Sequence, residues 1–344
     1  MNVARTNLTS TSRRRPGLRA ALAGAALVLL SAACTVEADA PFDSTIVASA
    51  EEGSTTTTSQ PPADPACANA DPRPSLRPTS PLPPPGQMPP GSYMADIVTN
   101  DKLRAGVGQD TLLFGYLNPD NGRLEGFDVE LVRLVAAAIF GEDDVDGHLD
   151  LVPIQSSERI PKLVDGSLDI VAKTMTINCV RWGSIDFSSV YYESGQRVLV
   201  ARADGSGGDA NPIRRIEDLA GRKVCAVEGT TSLANLTQKG VETVTAGDWT
   251  DCLVLFQQGA VLGVSTDDTI LAGLAVQDPF AVVVGDAFTE EPYGLGLPKD
   301  HPEFTEFVNA VLERAREDGT WQRLYDLWLS PTLGEATPPA ASYR

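Results

Sequence analysis

From Leu103 onward, short apolar runs alternate with amphipathic stretches, and no other feature restricts the fold of this chain as tightly. LRAGV from Leu103 reads as a strand, DVELVRLVAAAIF as a helix with Asp128 at its N-cap, and LDLVPI as the next strand. SERIPKLVDG, capped by Ser157 and closed by Gly166, reads as a second helix before the strand LDIVA. Such alternation predicts α/β architecture built from βαβ units, because a parallel strand is reached only through a helical crossover. The Gly-rich DGSGGDANP, Asp204 to Pro212, interrupts the pattern. It resumes with RKVCAV, a helix from Ser232, VETVTA, a helix from Trp249, VLGVS, a helix from Asp268 and FAVVV. About 235 residues of this kind suit two α/β lobes better than one, given usual domain sizes. Two helical stretches follow, HPEFTEFVNAVLERAREDG and TWQRLYDLWL, with apolar residues at helical spacing and Gly319 between them.

The first third of the chain follows other rules. Arg13, Arg14 and Arg15 precede an apolar run from Leu18 to Leu30 that ends in Leu30, Ser31, Ala32, Ala33 and Cys34. That run is shorter than the ~20 residues a membrane-spanning helix needs, so residues 1–33 read as a signal peptide and the mature chain as extracytoplasmic. LSAAC resembles a lipobox. Cleavage before Cys34 would expose a thiol for lipidation and anchor the chain to the outer face of the cell membrane. Residues 34–95 hold 13 of the 25 prolines and the Thr55 to Thr58 run, with few large apolar side chains. They are expected to form a semi-extended tether fixed only near Cys67.

Charge narrows the choice of partner. The formal net charge is −19, and loss of Arg5, Arg13, Arg14, Arg15 and Arg19 with the signal peptide takes it to −24. Nucleic acid is not an expected partner, and an anionic ligand would need local cations. Cys67, Cys179, Cys225 and Cys252 form an even set in an exported chain, which permits three disulfide pairings. Cys225 and Cys252 both fall in the second lobe and are expected to pair, leaving Cys67 with Cys179. Two histidines, His148 and His301, and no close Cys-x-x-Cys argue against a zinc site, and no cofactor is expected.

The strand-like run ending near Ala172 leads into a loop that carries Arg181, five residues after Thr176. Open α/β sheets bind small molecules at the carboxyl ends of their strands, and a guanidinium there grips a carboxylate through two parallel hydrogen bonds. The stretch Thr176, Ile177, Arg181 followed by Asp186, Phe187, Ser188, Tyr191 and Tyr192 resembles the polar amino acid branch of the bacterial extracellular solute-binding proteins. The likeness continues through GFDVEL from Gly126, EGTTS from Glu228, STDDTILAG from Ser265 and EPYGLGLPK from Glu291, and covers roughly Ile97 to Leu329.

That resemblance implies a two-lobed type II periplasmic-binding-protein fold. Its first lobe would span 96–199 and 287–331, its second 200–286, and 332–344 would form a C-terminal tail. Two crossover segments, near Arg197 to Arg202 and near Asp286 to Tyr293, would join the lobes, and the C-terminal helices would return to the first. The implied ligand is a free amino acid, whose two charges must both be paired once buried. Arg181 would clamp the carboxylate, helped by Thr176 and by Gly229, Thr230 and Thr231 at a helix start. Asp267 matches the family's ammonium acceptor. Lys173, where relatives carry a small residue, would add a cation and favour glutamate or aspartate over glutamine or asparagine. Phe114 would cover the ligand's aliphatic part, with Leu113 or Tyr116 as alternatives, and Ser156 and Ser157 correspond loosely to side-chain contacts. The implied role is a monomeric receptor, not an enzyme, that delivers its ligand to a membrane ABC permease. An amino acid sensor presenting the closed form to a membrane receptor and kinase pathway is the alternative, and a dehydratase on the same fold a distant third.

Overall fold

The computed structural model describes residues 71–78, 81–141, 143, 145–202 and 213–344. Cys34, Cys67 and the Gly-rich segment Asp204 to Pro212 lie outside the described residues. Helix α1 (Tyr93–Asn100) starts at the Ser92 cap, whose hydroxyl accepts the Ala95 N–H, and ends at Asp101 in a left-handed conformation. Strand β1 (Leu103–Val107) leads to a small three-stranded sheet of β2 (Asp110–Thr111), β3 (Gly115–Leu117) and β4 (Leu124–Glu125). Helix α2 (Phe127–Phe140), strand β5 (Leu149–Pro153), helix α3 (Arg159–Val164), strand β6 (Ile170–Ala172), the single turn α4 (Cys179–Trp182) and strand β7 (Ile185–Phe187) complete the outward path.

The chain then crosses on β8 (Tyr192–Ser194) into β9 (Gln196–Ala201). The second lobe continues with β10 (Lys223–Val227), α5 (Thr231–Leu236), β11 (Glu242–Ala246), α6 (Trp249–Gln257), β12 (Gly263–Asp267), α7 (Asp268–Gln277) and β13 (Ala281–Val284). Strand β14 (Glu291–Tyr293) returns beside β8, and β15 (Gly296–Pro298), α8 (Pro302–Glu317), α9 (Thr320–Trp328) and α10 (Ser330–Leu333) rejoin the first lobe. Each lobe has one five-stranded sheet, ordered β5-β1-β6-β15-β7 in the first and β11-β10-β12-β9-β13 in the second. In each sheet four strands run in one direction, and the strand arriving from the other lobe, β15 or β9, lies antiparallel between two of them. The expected two-lobed α/β fold is present.

Burial explains why these segments hold. The apolar face of α2, including Phe127, Leu131, Val135 and Ile139, is fully buried beside β1, β6, α8 and α9. The second lobe packs Val227, Trp249, Val264, Leu271 and Leu274 around the Cys225–Cys252 disulfide, which has formed as expected. Among the described residues, no helix is long and apolar enough to cross a membrane.

The structure departs from the sequence reading at several places. The first crossover lies at Gly195, ahead of the expected Arg197 to Arg202, because β9 is already paired with β12 and β13. A Cβ at Gly195 would sit 2.6 Å from Ala287 Cβ and 2.7 Å from Thr289 O, so the two crossovers touch there. The N-cap of α2 is Gly126, since a Cβ there would lie 2.3 Å from Phe114 O, and Asp128 is buried inside the first turn. Ser157 caps nothing: it lies in a short 3-10 turn, Ser156–Glu158, headed by Gln155. Helix α5 begins one residue earlier than expected, with the Thr230 hydroxyl accepting the Leu233 N–H.

The expected tether also ends sooner. Ser75 is fully buried, donating to Phe187 O at 2.6 Å and accepting from Asn309 Nδ2 at 2.8 Å. Its backbone bridges to the chain's end, with Ser75 N–H on Ser342 O and Arg344 N–H on Ser75 O. Trp182 Nε1 donates to Pro72 O at 2.9 Å. Polar anchors hold Pro72 and Ser75, and Leu82 and Met88 pack against the first lobe's core further along, neither of which composition registers. Cys179 is disulfide-bonded, and its expected partner Cys67 lies outside the described residues.

Candidate functional site

The carboxyl ends of the parallel strands in both sheets face one cleft, the position where open α/β sheets bind ligands. From the first lobe come the turn after β5, with Ser156 and Arg159, and the loop after β6, with Thr174, Thr176 and Arg181. From the second come Thr230, Thr231 and Ser232 at the start of α5, Trp249 at the start of α6, and Asp267 at the end of β12. Together they line a cavity of about 10 Å³. A groove of about 870 Å³ opens beside it, bordered by Thr176, Arg181, Gly229, Thr231 and Glu291 and, at its rim, by Asp71 and Arg73. The lobes meet closely: a Cβ on Gly229, at φ +71°, would lie 2.7 Å from Ser157 Cα.

Arg181 is buried and donates from Nη1 to Thr176 O at 2.6 Å and from Nη2 to Gly229 O at 3.3 Å. It thus bonds both lobes at once. Burial pulls its pKa down to about 10, while the charges of Glu291 and Asp267 oppose that fall. Asp267 stands at the N-cap of α7, yet its carboxylate caps nothing. Its Oδ2 accepts the Tyr293 hydroxyl at 2.6 Å and its Oδ1 lies 3.5 Å from Ser232 Oγ. Burial, with the Glu291 charge adding to it, pushes the Asp267 carboxyl up to about 7. A buried guanidinium and a buried carboxylate from opposite lobes therefore line the same small cavity, which suits the two ends of a zwitterion.

The threonines behave differently from one another. Thr230 is a helix cap, donating its hydroxyl to Val227 O at 2.6 Å. Thr176 and Thr231 both donate to Glu291 Oε2, at 2.6 and 2.8 Å. Lys173 is buried but lines neither of these cavities; its Nζ pairs with Asp110 at 3.2 Å. The loop between them is held by Asp128, whose Oδ2 accepts the Thr174 N–H at 2.8 Å where Thr174 takes φ +39°.

Phe114 is not a site residue. It is fully buried in the first lobe, edge-on to Phe127, Tyr192 and Tyr293, because the turn after β2 directs it into the core. Leu113 holds the strained position of that turn, at φ +85°. Tyr116 packs edge-on to Trp328.

Sequence reasoning passed over Arg159 and Glu291. Arg159 is fully buried, and its guanidinium donates to Ser156 O, Lys173 O and Gly229 O at 2.9, 3.0 and 3.0 Å. Burial first, then the neighbouring Arg181 charge, lowers its pKa to about 9. The argument that found Arg181 would have found it too, since Arg159 follows the carboxyl end of β5. Glu291 carried a signal only as an acid inside the EPYGLGLPK motif.

Comparison with known proteins identifies the family and the fold. Residues 103–331 match the model of the bacterial extracellular solute-binding proteins, family 3. The chain is 34% identical over 245 residues to the glutamine-binding protein of an ABC transporter from Bacillus subtilis, covering 70% of this chain and 86% of that one. It is 32% identical over 255 residues to the glutamate-binding protein of Corynebacterium glutamicum, covering 71% and 83%. Among solved structures, an ancestral arginine-binding protein bound to glutamine aligns with a TM-score of 0.60 at 30% identity, covering 68% of this chain and 99% of that one. A mutant of the arginine-binding protein from T. maritima aligns at 0.62 and 26% identity, covering 69% and 99%.

Proposed function

The chain belongs to family 3 of the bacterial extracellular solute-binding proteins, and from that premise we propose that it binds a free acidic amino acid, glutamate or aspartate ahead of their amides, and hands it to a membrane ABC permease. The observation that carries this reading is the pairing of Arg181 and Asp267 across one buried cavity. Arg181 takes the α-carboxylate through its fork, and Asp267 takes the ammonium. Arg159 supports the acidic choice. It puts a second buried guanidinium at the cavity, where a side-chain carboxylate gains a charged donor and a lysine or arginine side chain meets repulsion. Lys173, expected above to favour an acidic ligand, already has Asp110 as counter-ion, so the preference rests on Arg159.

Closure follows from the same contacts, because only joined lobes present Arg181 and Asp267 to one ligand. The LSAAC string supports release of residues 1–33 and attachment of a lipid at Cys34, which places the head outside the cell. The family's members are solute-binding proteins rather than enzymes.

A thermal-shift panel of glutamate, aspartate, glutamine, asparagine, lysine and arginine tests the reading, since a ligand that binds only the folded state raises the melting temperature by mass action. Glutamate or aspartate should give the largest shift. A larger shift with lysine or arginine, or none with any of the six, refutes it.

A further inference from the structure

Glu291 sits on β14, the strand by which the chain returns to the first lobe, and is 2% exposed. Its Oε2 receives the Thr176 hydroxyl from the first lobe and the Thr231 hydroxyl from the second, whose oxygens are 3.4 Å apart. Its Oε1 receives Thr289 Oγ1 at 2.8 Å and Asn235 Nδ2 at 3.4 Å. A hydroxyl has one proton and a carboxylate only accepts, so both threonine protons are committed to Glu291. What Thr176 and Thr231 offer the cavity they line is therefore lone pairs.

We propose that Glu291 is a positioning residue that fixes the hydrogen-bonding sense of the cleft, turning Thr176 and Thr231 into acceptors for the ligand's ammonium instead of donors to its carboxylate. An ammonium carries three donors, and the Asp267 carboxylate with the two threonine oxygens supplies three acceptors. The carboxylate is then left to Arg181, which reassigns two residues that the sequence placed in the carboxylate clamp. Because Thr176 and Thr231 come from different lobes, the cluster is complete only when the lobes are together, so the same carboxylate favours closure from the crossover strand. The identity of the ligand rests on the reading above; the cluster itself does not.

The test is a double-mutant cycle on the mature protein, with L-glutamate affinity measured by titration calorimetry. Glu291→Gln, with its amide nitrogen in the place of Oε2, leaves both threonine protons without that acceptor and turns them toward the cavity, and should weaken binding about tenfold. Thr176→Val should weaken it by a similar factor, and the double variant should bind no worse than about threefold below Thr176→Val alone. Glutarate, which keeps both carboxylates and lacks the ammonium, should lose far less affinity than glutamate on Glu291→Gln. Fully additive losses in the cycle, or equal losses for glutarate and glutamate, overturn the proposal. Wild-type protein that ignores L-glutamate overturns the ligand reading alone. The same cycle on the free protein, followed by urea denaturation, still tests the cluster, and additive losses there overturn it.

Discussion

Lys173 and Asp110 form an ion pair of 3.2 Å with side chains only 3% and 6% exposed, which makes it one of the least solvated charge pairs among the described residues. The second oxygen of Asp110 accepts the Trp249 N–H at 2.7 Å, so a carboxylate of the first lobe also holds the start of α6 in the second. Taking away one member of a buried pair strands the other, at a cost of about 3 kcal/mol or more. Lys173→Met should lower unfolding free energy by about that amount in urea denaturation, and Asp110→Asn added to it should restore part of the loss. Independent, additive effects of the two substitutions would show that the pair does not act as a unit.

Arg181→Ala should weaken L-glutamate binding by about 3 kcal/mol, roughly a hundredfold, since it leaves a buried carboxylate without its charged donors. Titration calorimetry with unchanged affinity would take Arg181 out of the site. Arg159→Gln acts on a different property. It should lower both affinities, since the Gly229 bridge between the lobes is lost, and reduce the preference for glutamate over glutamine by about tenfold, because only the side-chain carboxylate also loses a charge partner.

The Asp267 carboxyl, pushed up to about 7 by burial, must ionise before it can pair with an ammonium. Glutamate affinity should therefore rise with pH and be about a hundredfold weaker at pH 5 than at pH 8. Stability runs the other way. A carboxyl whose folded pKa is raised favours the fold below its unfolded value of about 4, and that contribution is lost as pH climbs through 7. Asp128, raised by burial to about 6, acts in the same direction. Calorimetry from pH 5 to 8 should give a sloping profile for the wild type and a flat, weak one for Asp267→Asn. A flat wild-type profile would mean that Asp267 does not receive the ammonium.

The Cys225–Cys252 bond joins β10 to α6 across 27 residues. A loop of that length corresponds to about 3 kcal/mol of stabilisation through restriction of the unfolded chain. The Cys225→Ala, Cys252→Ala double variant should lose about that much in denaturant titration while its ligand affinity stays within about threefold, since neither sulfur borders the cavity.

Much of the architecture was legible before the structure. Apolar period reports local burial, which is why β1, β5, β6 and the strands of the second lobe fall where the runs LRAGV, LDLVPI, LDIVA, RKVCAV and VLGVS predict them. Arg181 was legible as a charged residue following an apolar strand, whereas Asp267 was marked only by the family resemblance of the STDDTILAG stretch. Phe114 misled because an aromatic near a strand end serves core and pocket equally well in sequence. Ser75 misled because its anchors, Phe187 and Asn309, lie 112 and 234 residues away.

The sequence by itself determined the two α/β lobes and the strand end that carries Arg181, while its family likeness marked Asp267. The tertiary structure alone decided which carbonyls Arg159 bridges, that Lys173 belongs to Asp110, and that Glu291 collects hydroxyls from Thr176 and Thr231, 115 and 60 residues distant. Periodicity records whether a side chain is buried. It carries no information about which distant polar group meets that side chain once the lobes come together, and the chemistry of a buried charge depends on that partner.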